Sequence, residues 1–511
     1  MIATSKPPRV RAPMHHRVTR TLAPLALGLI AALGLDPFGV WAATPIALAV
    51  LLWLLSRAPD SRSALWQALA AGLGWFALSL SWIVEPFLVQ PEIYGWMAPF
   101  ALILMALGGS LFWALPVWLA WQIGSGWRGR VIAIAAALVL SDWLRGWIFT
   151  GFPWALIGHV WIGSPVGQSA AYLGAPGLSA LTLLAASLPC LLWRPLRNRA
   201  AGYAPGTLLA ALLIGAVWAG GMARLAHPLP EDRATQLRLV QPNADQALKW
   251  DPEWSQVFYQ RLLDLSASPG PRDLVIWPET AVNFLLNDAG PVLPDMARAG
   301  DAPLITGIQR LEGSRFYNSL VTLDAEGQVT GLYDKFHLVP FGEYIPWGDA
   351  MAQIGISAFA AQQGNGYSPG PGPAQMQIDG IAPFQPLICY EVIFPQHLRG
   401  LGTRPGWLLQ ITNDSWFGQF SGPYQHLAQA RLRAVQSGLP VVRVANTGIS
   451  AVIDARGGLR QTLGLGEAGI IDAALPGALP PTPWMRWGDW PVILLMVLLL
   501  GASAAGRLRR R

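Results

Sequence analysis

The stretch LICYE at residues 387–391 decides how the polar half of this chain is interpreted, because it sets a thiol at the end of an apolar run. A short apolar run of this kind is typical of a buried β-strand. Two earlier stretches have the same form: VIWPE at 275–279 ends in a carboxyl group, and YDKFH at 333–337 carries an ammonium group. A thiol, a carboxylate and an ammonium group at the ends of apolar strands predict a nucleophilic site.

The composition divides the chain into two kinds of sequence. Hydrophobic residues make up 53% of the 511 residues and charged residues only 13%, whereas charged residues form about a quarter of a typical soluble protein. Acidic residues are sparse from 21 to 224 and dense from Glu231 onward. The net charge is +6 and the pI is near 9.5, but the arginines cluster at the ends of apolar segments. This placement indicates membrane topology rather than nucleic-acid binding.

The apolar segments predict a multi-pass membrane domain. A spanning helix needs about 20 mostly apolar residues. About eight segments approach this length, at 21–36, 38–55, 64–86, 96–122, 130–149, 166–193, 203–223 and 489–506. The first segment lacks a clear cleavage site, so it is interpreted as a membrane anchor rather than a removed signal peptide. Four tryptophans are predicted to mark the membrane interface: Trp143, Trp147, Trp154 and Trp161.

Arginine-rich and arginine-poor loops alternate along these segments. With about eight spans, the arginine-rich loops all fall on the side that the positive-inside rule assigns to the cytoplasm. We therefore predict cytoplasmic basic tails at 1–20 and 507–511, a membrane domain of about seven transmembrane helices at 21–224, and a C-terminal transmembrane helix at 489–506. The polar domain at 235–480 is predicted to lie outside the cytoplasm; if the cell is Gram-negative, this places the domain in the periplasm and the protein in the inner membrane.

The polar domain alternates short apolar runs with helical stretches such as 254–266 and 423–437. This alternation predicts an α/β fold with a layered sheet and outer helices. A lid-like loop is expected at 357–372. The two cysteines, Cys190 in an apolar segment and Cys389, are not expected to form a disulfide, and the seven histidines show no HExxH pattern. No metal or cofactor is predicted.

The candidate side chains divide the chemistry that a cysteine nucleophile needs. A thiolate forms at neutral pH only beside a base or a positive charge. Glu279 could take the thiol proton, and Lys335 could stabilise both the thiolate and an oxyanion. His337 is the competing base, and on one strand it would face the same way as Lys335. Glu343 fits either the site or a structural hydrogen bond.

The three stretches together resemble the nitrilase superfamily with its Glu-Lys-Cys triad. RGWIFTGFPW at 145–154, LVQPN at 239–243 with KW at 249–250, and TNDSWFG at 412–418 are similar to segments of the apolipoprotein N-acyltransferases of Gram-negative bacteria. The resemblance covers nearly the whole chain, membrane segments included. It implies a nitrilase-like αββα sandwich for the polar domain, joined to the multi-pass α-helical membrane domain.

The resemblance also implies a two-step reaction. Cys389 would attack the sn-1 acyl ester of a phospholipid, typically phosphatidylethanolamine, and form a thioester. The α-amino group of the S-diacylglyceryl-cysteine at the start of an apolipoprotein would then take the acyl chain, which is the last step of lipoprotein maturation. This describes a ping-pong N-acyltransferase at the membrane, expected to act as a monomer without a cofactor or nucleic acid.

The family's site residues are carried over to matching positions in this sequence. Glu279 is implied as the general base and Lys335 as the group that stabilises the oxyanion, beside the nucleophile Cys389. Supporting or substrate-binding roles are implied for Glu343, Tyr390, Glu391, Trp250 and Trp416. Each of the two tryptophans could equally be an ordinary core residue.

Two other functions compete with this interpretation. A membrane-tethered amidase of the nitrilase type, acting on a small C–N substrate, would keep the same triad but would not need about eight spans. A transporter with a non-catalytic sensor domain would be expected to carry intramembrane acid pairs or interrupted repeats, and the apolar segments lack both.

Overall fold

The computed structural model describes residues 14–195, 201–345 and 366–508. Several predicted features lie outside these residues: the start of the basic N-terminal tail, two of the loop arginines (Arg197 and Arg199), most of the lid-like loop, and the last three arginines of the C-terminal tail.

The first part of the chain is helical, and each apolar segment predicted there overlaps a helix. The helices are α1 Met14–Ala32, α2 Ala43–Ser56, α3 Ser61–Ser79, α4 Pro91–Tyr94, α5 Ala98–Ile123, α6 Gly126–Leu144, α7 Ala170–Leu191 and α8 Ala204–Ala226. Their exposed large side chains are mostly leucine and isoleucine, such as Leu104, Leu208 and Leu212. Apolar surface of this kind is favourable in lipid and costly in water.

Helix length and hydropathy identify a smaller set of spans than the sequence predicted. Among the described residues, the segments long and apolar enough to cross a membrane are Pro91–Ile123, Pro165–Leu191, Ala204–Ala226 and Trp490–Leu508. The pair Ser61–Ser79 and Ser81–Leu88, bent by 48°, adds a fifth if it is one span. Thr21–Ala32 and Ala43–Ser56 are apolar but shorter. The chain therefore has membrane-type helices, and the count of about eight stays a prediction.

Two of the four tryptophans predicted at the membrane interface are in fact buried packing residues. Trp154 and Trp161 are each 1% exposed, and their indole Nε1 atoms donate hydrogen bonds to Gln425 and Thr182. Trp147 is 53% exposed. The sequence could not separate these cases because an indole suits both a membrane interface and a protein interior.

The polar domain is built on two six-stranded sheets. The strands are β1 Gln236–Gln241, β2 Leu274–Ile276, β3 Leu304–Glu312, β4 Arg315–Leu323, β5 Val329–Asp334, β6 Met376–Ile378, β7 Ile381–Ile388, β8 Trp407–Thr412, β9 Val441–Ala445, β10 Ser450–Ile453, β11 Leu459–Leu463 and β12 Gly469–Ala474. The first sheet has the order β12-β1-β2-β3-β4-β5, and the second has the order β11-β10-β9-β8-β7-β6. The α/β character predicted for this domain is confirmed.

The first sheet is apolar on both faces, which makes it an inner layer of the domain. Leu237, Leu239 and Ile276 belong to the core shared with the second sheet, whereas Val275 and Trp277 belong to a separate core beneath helices. These helices are α9 Pro252–Ala267 and α10 Leu293–Gly300. Because successive side chains of a strand point to opposite faces, one run of apolar residues fills both cores.

The second sheet is covered by α11 Gly422–Ser437, and the chain then leaves the domain through two last helices. These are α12 Pro483–Trp487 and α13 Trp490–Leu508, and α13 packs against α6 and α7 of the membrane domain. With α9 and α10 on the other side, the order of layers is helix, sheet, sheet, helix. The polar domain is therefore attached to membrane-type helices at both of its chain ends.

Candidate active site

Strand ends from both sheets meet at one edge of the polar domain. β1, β2 and β3 are parallel, and β5 points the same way as β3 because two antiparallel pairings separate them. Lys335 directly follows β5, Glu279 comes shortly after β2, and Cys389 directly follows β7. The backbone N–H of Asn413, which follows β8 of the second sheet, donates to Glu279 Oε2 at 2.8 Å. The predicted groups are thus brought to a common edge by sheet direction.

Lys335 is held between two buried carboxylates. Its Nζ lies 3.2 Å from Glu279 Oε1 and 2.8 Å from Glu343 Oε1. The Asn318 side-chain amide donates to the same two oxygens, at 2.8 and 3.2 Å. Burial opposes the charge of Lys335, but Glu279 and Glu343 outweigh it and raise the pKa of the ammonium well above its usual value. Lys335 is therefore a fixed cation at this edge.

Cys389 occupies a turn in which its backbone is left-handed, with φ of 50°. Its carbonyl oxygen lies 3.2 Å from the donor Gln410 Nε2 and 3.1 Å from His426 Nε2. The residue is 5% exposed. A left-handed backbone is unfavourable for a residue with a Cβ, so the turn persists because the surrounding structure holds it.

The thiol of Cys389 is kept protonated in this environment. Burial raises its pKa well above the usual value, the negative charge of Glu279 raises it further, and Lys335 lowers it. All three candidate side chains therefore act on one another electrostatically. A thiol in this state needs a base to become a nucleophile, and Glu279 is the carboxylate with the largest effect on it.

Glu391 fastens the loop that carries Lys335 to the turn that carries Cys389. Its Oε1 accepts from the backbone N–H groups of Phe336 and His337 at 2.9 and 3.2 Å, and its Oε2 accepts from Ile388 N–H at 2.8 Å. The Tyr333 hydroxyl donates to both oxygens. Burial raises the pKa of Glu391 to about 7 against these hydrogen bonds. The Glu391 side chain thus fixes the distance between the end of β5 and the end of β7.

His337 and Lys335 do not share a strand, so the case in which both side chains face the same way does not arise. β5 ends at Asp334, and Glu391 then takes the backbone N–H groups of the next turns. The His337 ring stacks on Phe394 with centroids 3.7 Å apart, and its Nδ1 lies 3.3 Å from His397 Nε2. Burial lowers the pKa of His337 to about 4.

Four residues other than glycine adopt left-handed backbone conformations around this edge. They are Asn243, Thr280, Phe341 and Cys389, with φ between 47° and 63°. Each lies within a few residues of a strand end or of a carboxylate of the site. Residues other than glycine adopt such conformations at a cost, and they concentrate where a structure must aim particular groups.

Comparison with known proteins gives two matches that divide the chain in the same way as the fold. Residues 27–188 match the apolipoprotein N-acyltransferase N-terminal domain, and residues 237–479 match the carbon-nitrogen hydrolase family. An apolipoprotein N-acyltransferase from Caulobacter vibrioides is 41% identical over 510 residues, covering 95% of this chain and 94% of that protein. Another from Rhizobium meliloti is 38% identical and covers 91% of each chain.

The chain belongs to the apolipoprotein N-acyltransferase family. Among solved structures, a CN-hydrolase superfamily protein from Xanthomonas campestris is 20% identical, with a TM-score of 0.36 over 52% of this chain and 97% of that one. An amidase from Nesterenkonia sp. AN1, solved in complex with butyramide, is 19% identical with a TM-score of 0.37 over 52% of this chain and 98% of that one.

The remaining residues that the family resemblance singled out lie around the same edge. The Tyr390 hydroxyl donates to the carbonyl of Gly151 at 3.2 Å, which connects the nucleophile turn to the membrane domain. Trp416 is half-buried and packs against the main core. Trp250 is half-buried at the end of the turn after β1. The structure therefore brings Tyr390 and Trp416 to the contact between the two domains.

A buried network of polar side chains lies behind the nucleophile of this apolipoprotein N-acyltransferase family member, and it was not predicted from the sequence. His426 Nδ1 lies 2.9 Å from Asp414 Oδ1, and Arg443 pairs with the other carboxylate oxygen. Burial opposes the charge of Asp414, but Arg443 and His426 hold the pKa of the carboxyl at about 2. All three residues are at most 1% exposed. They are more than ten residues apart in sequence, so no local motif joins them.

Lys249 is a second cation near the site to which sequence reasoning gave no role. It is 4% exposed, and burial lowers its pKa to about 8 against the attraction of Glu279. The turn that carries it is tied to the site, because Asn413 Nδ2 donates to Gln246 Oε1 at 2.7 Å. In the ranges that the structure describes, no cluster of three or more His, Cys, Asp or Glu residues could hold a metal ion.

Proposed function

We propose that this protein transfers an acyl chain from the sn-1 position of a phospholipid, through a thioester on Cys389, to the α-amino group of the S-diacylglyceryl-cysteine of apolipoproteins. The observation that carries the proposal is the edge where a buried thiol, a fixed ammonium and a buried carboxylate meet, in a chain that also carries membrane-type helices. The whole-length similarity to apolipoprotein N-acyltransferases supports the choice of substrates.

In the first step Glu279 takes the thiol proton of Cys389, and the sulfur attacks the carbonyl carbon of the sn-1 ester. The oxyanion that forms is stabilised by the Lys335 ammonium. Collapse of this intermediate breaks the carbon–oxygen bond, and the lysophospholipid leaves with the proton from Glu279. The raised pKa of the thiol supports a general-base step, since little thiolate exists before the base acts.

In the second step the free amine attacks the thioester carbonyl and gives a proton to Glu279. The carbon–sulfur bond breaks, the amide is released, and the sulfur regains a proton. Glu343 fixes Lys335 by one oxygen and accepts from Val339 N–H at 2.8 Å by the other. We assign Glu343 and Glu391 to positioning of the cation and the nucleophile turn. Tyr390, Trp250 and Trp416 are assigned to the lipid-facing side of the site.

The membrane domain gives this reaction a physical advantage. Drawing an acyl chain into water costs about 0.8 kcal/mol for each CH₂ group exposed, so a site held at the bilayer surface avoids most of that cost. We propose a membrane domain at 21–224, a catalytic domain at 235–480 on the periplasmic face of the inner membrane, and both termini in the cytoplasm. The family matches at 27–188 and 237–479 support this division.

We further propose phosphatidylethanolamine as the preferred donor and a monomer as the working unit. The competing amidase function is not favoured, because the relatives that match over nearly the whole chain are acyltransferases. An amidase acting on a small substrate would also have no use for the apolar helices beneath the site.

The test is the intact mass of the purified protein before and after incubation with phospholipid vesicles. An increase by one acyl group is expected in the wild type and in Cys190→Ala, and no increase is expected in Cys389→Ser. Cys190 is the matched control because it is the other cysteine and lies in α7 of the membrane domain. Unchanged acylation of Cys389→Ser would exclude the mechanism.

A further inference from the structure

A cavity of about 400 Å³ lies in the helical domain, next to residues that contact the catalytic domain. Its walls include Asp36 and Trp41 from the loop and helix start after α1, His159 and Ser164 from the loop before α7, and Trp218 of α8. None of the candidate active-site residues lines it. The cavity is therefore a separate feature from the Cys389 edge.

The loop that lines the cavity contacts the catalytic domain and also exposes apolar side chains. Gln425 of α11 donates to the backbone carbonyl of Asp36 at 3.0 Å, and the Phe38 ring contacts that of Phe420 with centroids 5.7 Å apart. The same loop leaves Phe38 and Val40 40% and 52% exposed. A loop that touches the catalytic domain on one side and exposes apolar side chains on the other fits the boundary between lipid and headgroups.

One part of the cavity has the chemistry of an ammonium site. The Trp41 and Trp218 rings lie with centroids 5.9 Å apart, and both are half-buried. Asp36 adds a carboxylate that the charge of Arg431 attracts, although among the described residues it forms no ion pair shorter than 4 Å. Indole faces together with a carboxylate attract organic cations, by cation–π and charge interactions.

The other part of the cavity offers groups that suit a phosphate. His159 is 6% exposed, and its Nε2 has no hydrogen-bond partner within the described ranges. The Arg431 guanidinium lies so close to Gly163 that a Cβ added there would be 2.9 Å from Nη1. A buried nitrogen without a partner is costly, and a ligand oxygen would remove that cost.

We propose that this cavity binds the zwitterionic headgroup of a phospholipid. The ammonium group lies between Asp36 and the indoles of Trp41 and Trp218, and the phosphate lies on the side of His159 and Arg431. That the bound lipid is the acyl donor rests on the proposed function, whereas the binding site itself does not. An anionic headgroup without an ammonium would lack the group that contacts Asp36 and the two indoles.

The test measures lipid binding without turnover, on the full-length Cys389→Ala protein in neutral detergent. Native mass spectrometry would count bound dioleoyl phosphatidylethanolamine and dioleoyl phosphatidylglycerol at equal concentrations. We expect phosphatidylethanolamine to be retained preferentially. Adding Asp36→Asn should weaken its retention roughly tenfold, about the effect of losing one partly buried ammonium contact, and leave phosphatidylglycerol unchanged. Glu92→Gln, which removes an exposed acid of the same domain, is the matched control and should change neither.

Equal retention of the two lipids, or an equal loss of both in Asp36→Asn, would overturn the proposal. Trp218→Leu provides a second variant in case Asp36→Asn fails to fold, and the same selective loss is expected from it. In the protein that retains Cys389, Asp36→Asn should raise the KM for phosphatidylethanolamine in thioester formation with little change in kcat. Absence of any thioester would count against the proposed function, while the binding result would still decide the headgroup site.

Discussion

The two sheets of the polar domain bring different chemistry to the same edge. The first sheet contributes charge, because Glu279 and Lys335 follow its strands and Glu343 joins them. The second sheet contributes the neutral thiol of Cys389. The backbone carbonyl oxygen of this residue is held by Gln410 and His426. Because of this division, the second sheet can keep the nucleophile protonated and aligned, while the first sheet supplies the base and the cation.

The largest effect should follow from neutralising the base of the first sheet. Glu279→Gln is expected to slow thioester formation by about 10²–10⁴, the usual contribution of a general base. The same change removes a negative charge that raises the pKa of Cys389, so the thiolate fraction at pH 8 should rise. Alkylation of Cys389 by iodoacetamide should therefore become faster while enzymatic acylation becomes slower.

Glu326→Gln is the control for this pair of measurements, because Glu326 is an exposed acid in the β4–β5 turn. It should alter neither rate. If Glu279→Gln accumulated the thioester at the normal rate, the base of the first step would have to be sought elsewhere, and His337 would be the next candidate.

Removing the cation of the first sheet should cost both activity and stability. Lys335→Met is expected to lower the acylation rate by about 10²–10³ through loss of one oxyanion donor. It also leaves Glu279 and Glu343 facing each other without a counter-charge, which should lower the free energy of unfolding by about 3–5 kcal/mol. Single-turnover kinetics and thermal unfolding measure the two effects.

Lys249→Met is the matched comparison, since Lys249 is also a buried lysine near Glu279 but makes no ion pair with it shorter than 4 Å in the described part of the chain. The free energy of unfolding should change much less in Lys249→Met than in Lys335→Met. Equal destabilisation by the two variants would show that the ion pairs of Lys335 do not hold the edge together.

A smaller effect should follow from changing the second sheet's network. His426→Leu removes the contact with the Cys389 carbonyl and the partner of Asp414, so kcat for thioester formation should fall about tenfold, as expected for about 1.4 kcal/mol, with KM unchanged. His426→Gln keeps an amide near the position of Nε2 and should recover most of the loss. Normal kcat in His426→Leu would mean that Gln410 alone aligns the turn.

The smallest effect concerns stability in acid. Burial lowers the pKa of His337 to about 4 and that of His397 to about 3, so the unfolded chain binds protons more tightly than the folded one. The stability that this pair contributes is complete above about pH 6.5 and is lost as the pH falls toward 3. His397→Asn should flatten the fall in unfolding temperature over this range. His227→Asn, at an exposed position, should leave it unchanged.

The helical and α/β halves of the chain, most of the strands and the groups at their ends could be predicted from the amino-acid sequence. Apolar runs of strand length identify β2 and the end of β7, because these residues are buried and leave no polar alternation. Glu279 and Cys389 could be named as site groups because they follow these runs, and Lys335 because it follows the buried end of β5.

The contacts of those groups depend on how the chain folds in three dimensions and could not be predicted from the sequence. Three contacts of the site join residues that are distant in sequence: Asp414 with His426, Glu391 with the loop after β5, and Lys249 with Glu279. The periodicity of a sequence carries no information about such pairs. The conformation of His337 could not be predicted for this reason, because its backbone N–H donates to a carboxylate 54 residues away. Likewise, an indole has the same sequence signal at a membrane surface and in a core, and the buried positions of Trp154 and Trp161 were set by what packs around them.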